Sequence, residues 1–283
     1  MAIRILTDSA ADYEPHELAE KGILMVPIGI AFGDDSFQDG YNLSKEEFYR
    51  RLLTKEHFPK TAQPSPNEFL THFEAAKEAG DQLVAILLSS GLSGTYHSAC
   101  LAQEICEYDG IYVIDSLSAV TGMRMMVDTA LLRVAEGKSA EEIQDEVLDM
   151  RSRMVIFAGM DTLEYLRMGG RISKTQASLA GALNVKPVIS VNPVGGTLDV
   201  PNKALGLKRA IGVLLDYMKK IPRDPAYPVY FPYSLDPKNV ISFIAKAKEL
   251  YPEIDETQYY NLGPTVGSHI GDNAFGFTFV RAK

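Results

Sequence analysis

The run Leu83-Val84-Ala85-Ile86-Leu87-Leu88, followed at once by Ser89-Ser90-Gly91-Leu92-Ser93-Gly94-Thr95-Tyr96-His97-Ser98-Ala99, constrains the fold of this chain more than any other segment. A continuous aliphatic run cut off by glycines and hydroxyls reads as a β-strand that stops abruptly. A helix is expected to follow, covering Cys100 to Cys106. Such a strand-to-helix turn suits an anion: glycines let backbone N–H groups come close, the helix N-terminus adds partial positive charge, and Ser and Thr hydroxyls add donors. The expected ligand carries a phosphate or a carboxylate. The same residues also suit plain helix capping.

The chain's 283 residues, 46% of them apolar, are enough for one large or two ordinary domains with filled cores. A net charge of −9 argues against a nucleic-acid binder, whose footprint is basic. The N-terminus lacks a signal-peptide apolar stretch, and no run approaches the roughly 18 apolar residues of a membrane span, so a cytoplasmic location is expected. Cys100 and Cys106 match no metal or redox spacing, and His16, His57, His72, His97 and His269 show no paired ligand spacing. No metal and no cofactor are expected.

Short apolar runs alternate with amphipathic helices through the first half, which predicts βα units around a doubly wound parallel sheet. Strands are expected at Ile3 to Thr7, Leu83 to Leu88 and Ile111 to Ile114. Capping boxes are read at Ser44 with Glu47, Ser65 with Glu68 and Ser139 with Glu142, and Pro66 stands at a first helical position. Two strands end in Asp-Ser, at Asp8-Ser9 and Asp115-Ser116. Ligands sit beyond the carboxyl ends of such strands, and aspartates there also cap helices.

After Met160 glycine and proline become frequent, and a second α/β domain is expected over 161–283 behind a first over 1–160. Its expected elements are a hairpin around Val188 to Leu198, a helix near Lys203 to Lys220, a strand at Val229 to Phe231, a helix opened by Asp236-Pro237 and running to Leu250, and a strand from Phe275 to Val280.

Four further features carry two readings each. Thr61, in the rigid turn Lys60 to Pro66, either faces the cleft of Ser93 or satisfies nearby backbone. Arg171, after Gly169-Gly170, either clamps an acid group or caps the preceding helix. His269, among Gly263, Gly267 and Gly271, is either structural or close to a ligand. The helix Ala119 to Val134, with Met123, Met125 and Met126, either walls a ligand tunnel or fills the core. Phosphate-loop, nucleophile-elbow and dinucleotide-turn motifs do not occur, so the pattern favours binding over chemistry.

Taken in order, Thr7-Asp8-Ser9, Thr61 to Pro66, Ser89 to Thr95, Asp115-Ser116, Thr162 to Ser173, Lys186-Pro187 and Gly263 to Gly271 resemble the DegV family of bacterial fatty-acid-binding proteins over nearly the whole chain. The resemblance implies a two-domain α/β protein with one long-chain fatty acid in a buried tunnel and its carboxylate at the domain interface. It implies a carrier, not an enzyme: a fatty acid kinase partner would phosphorylate the bound carboxylate for phospholipid synthesis. Thr61, Ser93, Gly94, Thr95 and His269 would hold the carboxylate, with Arg171 and Lys203 at the kinase-facing mouth. The chain departs from the family pattern at Ala62, Leu205, Pro232-Tyr233-Ser234 and Asp272-Asn273. Two other readings stand beside it: an enzyme acting on a small carboxylated or phosphorylated metabolite through Asp8, Asp115 and His269, and a fatty-acid sensor without a kinase.

Overall fold

The computed structural model describes residues 2–178 and 184–283. Its first sheet is parallel, with strands in the order Leu24–Val26, Ile3–Asp8, Gln82–Leu87 and Ile111–Asp115. The aliphatic run is continuous because the strand Gln82–Leu87 is buried on both faces. Val84 and Ile86 join one core with Met123, Met126, Ile143 and Val147, while Leu83, Ala85 and Leu87 join another with Phe69, Phe73, Ala99 and Ala102. Helices therefore cover both sides, as the doubly wound reading requires.

Helix starts follow the sequence closely. Reciprocal capping boxes form at Ser65/Glu68 and Ser139/Glu142. At Ser44 the hydroxyl accepts from the Glu47 N–H, and the Glu47 carboxylate is taken by Arg50 and Arg51 instead of turning back.

A small antiparallel sheet, Asp35–Gln38, Gly29–Phe32 and Lys60–Ala62, was not expected from the sequence. Its strand Lys60–Ala62 fixes Thr61 opposite Ile30, so Thr61 sits on a strand rather than in a free turn.

The third sheet has six strands, ordered Leu198–Leu205, Val185–Val191, Met154–Gly159, Phe275–Val280, Phe231–Tyr233 and Tyr259–Asn261. Its first member in the chain is Met154–Gly159. The expected helix from Lys203 is corrected: Lys203 lies in a strand paired with Pro187, and the helix Leu207–Lys220 begins only after Gly206, whose φ of 79° ends the strand. The strand read at Val229 starts at Phe231, with Tyr230 bridged to Thr278. Alternation divides this sheet: Val155 and Phe277 pack under the helices Leu207–Lys220 and Lys238–Leu250, while Ile156, Ala158 and Ile189 face inward.

Charged groups tie the two halves. Arg124, 3% exposed, lies between the rings of Tyr13 and Tyr260, 4.1 Å from each centroid, and pairs with Glu17. Lys45 donates to the carbonyls of Asp12 (3.0 Å) and Asn261 (2.9 Å) and pairs with Glu14. Two buried carboxylates seat the helix Pro264–Ile270: Asp12 accepts the Gly263 N–H (2.9 Å), and Asp39 accepts the N–H (3.0 Å) and hydroxyl (2.6 Å) of Thr265. Burial pushes the carboxyl of Asp12 up to about 7 and that of Asp39 up to about 6. Oδ2 of Asp12 is buried with no hydrogen-bond partner among the described residues.

Phe277, fully buried and stacked on Phe279 at 5.4 Å, should be indispensable to the second core. Phe277→Ala should cost about 3–5 kcal/mol in urea unfolding, whereas Leu101→Ala, at a side chain 51% exposed, should stay within about 0.5 kcal/mol. A carboxyl raised by folding binds its proton more tightly in the native state, so its contribution is complete below the ordinary range near pH 4 and is lost as pH rises to about 7. Asp12→Asn keeps the acceptor for Gly263 and tolerates the Asp12 φ of 59°. Its urea midpoint should match or exceed that of the parent at pH 8 and lose that advantage at pH 5.

Candidate functional site: a hydroxyl turn at the mouth of an apolar cavity

The turn after Gln82–Leu87 is fixed from both sides by the aspartates that end the neighbouring strands. Asp8 Oδ2 accepts the Leu88 N–H (2.7 Å) and its Oδ1 that of Ala10 (2.9 Å). Asp115 Oδ1 accepts the N–H groups of Ser90 (3.1 Å) and Leu117 (3.0 Å). Asp8 thus caps the short turn Ser9–Ala11 and anchors the hydroxyl turn, whereas Asp115 anchors it without capping the next helix, whose N-cap is Ala119. Burial raises the Asp8 carboxyl to about 7 despite both amide donors.

The second domain closes over the same turn. The Ser89 hydroxyl donates to the Gly196 carbonyl (2.8 Å) at the tip of the hairpin Val185–Val191/Leu198–Leu205. A side chain at Gly196, φ 63°, would start 1.9 Å from Ser89 Oγ, and one at Gly91 would start 2.3 Å from the Gly195 carbonyl oxygen. The helix Thr95–Cys106 then begins with the Ser93 and Thr95 hydroxyls 2.8 Å apart and the Thr95 N–H donating to Ser93 Oγ (3.3 Å).

Thr61, Ser93, Gly94, Arg171 and His269 all line one cavity between the parallel sheet and the six-stranded sheet. Thr61 Oγ1 lies 3.0 Å from His269 Nε2, joining the small sheet to the helix Pro264–Ile270. His269 is on that helix, its Nδ1 buried with no hydrogen-bond partner among the described residues and facing Gly169, where a Cβ would sit 2.2 Å away. Burial, helped by the Arg171 charge, lowers the imidazole to about 4, so it is neutral near pH 7. Thr95 is fully buried behind Ser93 and shapes the turn from below.

The contacts of Arg171 are those of a helix cap, extended into the hydroxyl turn. Its Nη1 donates to the Gly169 carbonyl (2.5 Å), a helix cap, and its Nε to the Leu92 carbonyl (3.0 Å), inside the hydroxyl turn. No ion pair of Arg171 forms among the described residues, leaving a half-buried cation beside the hydroxyls. It also borders an open groove over the outside of the turn, with Ser90, Ser173 and Thr197. Lys203 lines neither the cavity nor this groove.

Beyond this polar end the walls are aliphatic and aromatic, among them Ile28, Ile156, Ile189, Val191, Val266 and Phe275. The methionines of the helix Val120–Ala135 are fully buried core residues; that helix gives the cavity only Val120, a β-branched residue at φ 47°. Sequence reasoning missed Gln63, which lines the cavity, and Thr265, which joins it to Asp39. Gln63 could have been found by counting: it follows Thr61 by two on extended chain, where alternate side chains share a face.

Comparison with known proteins agrees with this architecture. A family model described as an uncharacterised protein of the DegV family matches residues 2–282. A DegV domain-containing protein of Caldanaerobacter subterraneus subsp. tengcongensis is 36% identical over 277 residues, 98% of either chain. Among solved structures, a fatty-acid-binding DegV family protein from Thermus thermophilus superposes with a TM-score of 0.87 at 27% identity, covering 100% of both chains. The fatty acid kinase (Fak) B3 protein of Streptococcus pneumoniae, loaded with linoleic acid, shares the fold at a TM-score of 0.87 and 23% identity, again over 100% of both chains. With a family match along its length and a relative 36% identical over nearly all of it, this chain belongs to the DegV family.

Proposed function

We propose that this protein binds one long-chain fatty acid, with the hydrocarbon in the cavity between the sheets and the carboxylate at Thr61, Ser93, Gly94 and His269, where Thr95 supports Ser93 from behind. The observation that carries the reading is the cavity's asymmetry: aliphatic walls with one polar end, where hydroxyls, a helix N-terminus and a cation without an ion-pair partner among the described residues converge. Removing an unpaired carboxylate from water is costly, so several donors must satisfy it together. The tail needs only apolar volume, at about 0.8 kcal/mol for each CH₂ buried. The named ligands of the structural relatives support the same class of cargo.

The chain itself is a carrier in this reading. Phosphoryl transfer to the bound carboxylate would be the work of a fatty acid kinase, with ATP and Mg²⁺ on that partner. The resemblance to the Fak B3 protein supports this step, and Arg171, at the border of cavity and outer groove, is the basic residue best disposed to meet the kinase. Lys203, opposite Pro187 on the strand Leu198–Leu205, would extend that docking face beyond the groove. The metabolite-enzyme reading is disfavoured because Asp8 and Asp115 are committed to backbone amides and neither lines the cavity.

Solvent extraction of the purified protein followed by mass spectrometry should release one fatty acid per chain; lipid-free protein that also takes up no added palmitate or oleate would sink the reading. Thr61→Ala and Ser93→Ala should each weaken binding by roughly tenfold or more, the loss expected when a buried carboxylate forfeits a donor. With a fatty acid kinase, ATP and Mg²⁺, acyl phosphate should form, and Arg171→Ala should slow its formation more than it weakens lipid binding. Unchanged turnover in that variant would remove Arg171 from the docking face.

A further inference from the structure

We propose that Gln63 is a positioning residue that latches the Ser93 turn over the headgroup of the bound fatty acid. Its Nε2 donates to Ser98 Oγ (3.1 Å), one turn into the helix that Ser93 precedes. Its carboxamide lies flat against Gly94: a Cβ built there would sit 1.9 Å from Oε1 and 2.6 Å from Cδ of Gln63.

The glycine itself points to this contact. Gly94 has φ −78° and ψ 2°, a backbone conformation open to L residues, so no turn geometry demands glycine there. What excludes a side chain is the carboxamide. Gly94 and Gln63 form a matched pair in which the missing Cβ leaves the space that the amide fills.

Gln63 comes from a different element than the turn it covers. Thr61 and Gln63 leave the strand Lys60–Ala62 on one side, and both line the cavity. Thr61 reaches His269, while Gln63 reaches across to Gly94 and Ser98. One short segment therefore braces both polar arms of the site. Gln63 is exposed on its outer side, whereas Ser98 is 4% exposed, so the latch sits between the headgroup and solvent. It is uncharged, and it orders the turn without competing with Arg171 for the acid.

This inference rests on the proposed fatty-acid reading, and its test separates the two. Binding and release of palmitate carrying ¹³C at the carboxyl carbon would be measured for the parent, Gln63→Ala, Gly94→Ala and the double variant. A hydrogen bond's worth of positioning corresponds to a roughly three- to tenfold faster release in Gln63→Ala. Gly94→Ala should match it, because the new methyl evicts the carboxamide, and the double variant should be no worse than either single one. The carboxyl ¹³C resonance should shift alike in all three. Parental release in Gln63→Ala, or a double-variant loss equal to the product of the single losses, overturns the latch. If the parent binds no palmitate, the fatty-acid reading fails, and amide hydrogen exchange decides the latch alone: faster exchange at Thr95 to Ser98 in Gln63→Ala and Gly94→Ala upholds it, and unchanged rates overturn it.

Discussion

The site depends on one arrangement: two carboxylates, from strands on either side of Gln82–Leu87, each accept a backbone N–H from the loop that this strand feeds. A loop rich in glycine and serine has much conformational entropy to lose and little apolar surface to offset the loss. Asp8 and Asp115 supply charge-assisted bonds at Leu88 and Ser90, and Ser93 can then begin its helix at a fixed position. The second domain completes the clamp through the Gly196 carbonyl on Ser89. The polar end of the cavity is thus built from three segments far apart in sequence.

The same logic governs the far wall. Asp12 and Asp39, buried and raised toward neutrality, hold the N-terminus of the helix Pro264–Ile270, whose other end carries His269. Arg124 between its two tyrosine rings and Lys45 between two carbonyls close the joint without filling the cavity. Polar groups therefore set the geometry, and the aliphatic lining supplies volume.

Much of this was legible in the sequence because it is local. The run Leu83 to Leu88, the capping boxes at Ser65 and Ser139 and the strand at Phe275 carry their own periodicity and end signals. What escaped was non-local or short. The strand Lys60–Ala62 has too few residues to show a period, and it exists because Gly29–Phe32 pairs with it. Lys203 was read into a helix because the strand it occupies contains Pro201 and is irregular in register, with only Gly206 marking its end. Within the site, Thr61, Ser93, Arg171 and His269 were found by residue chemistry. Gln63 and Thr265 were not, since their roles come from contacts that cross between elements.

The strand Met154–Gly159 turns Val155 and Phe157 toward the outer helices and Ile156 and Ala158 toward the cavity. Two properties are consequently written on alternate letters of one short word. Substitutions at the first pair act on how firmly the second domain holds together, while those at the second pair reshape the bore that a guest molecule must match. Changes at Ile156 and Ala158 therefore alter the chamber wall and the inner packing it shares, while the outer helices keep their own partners.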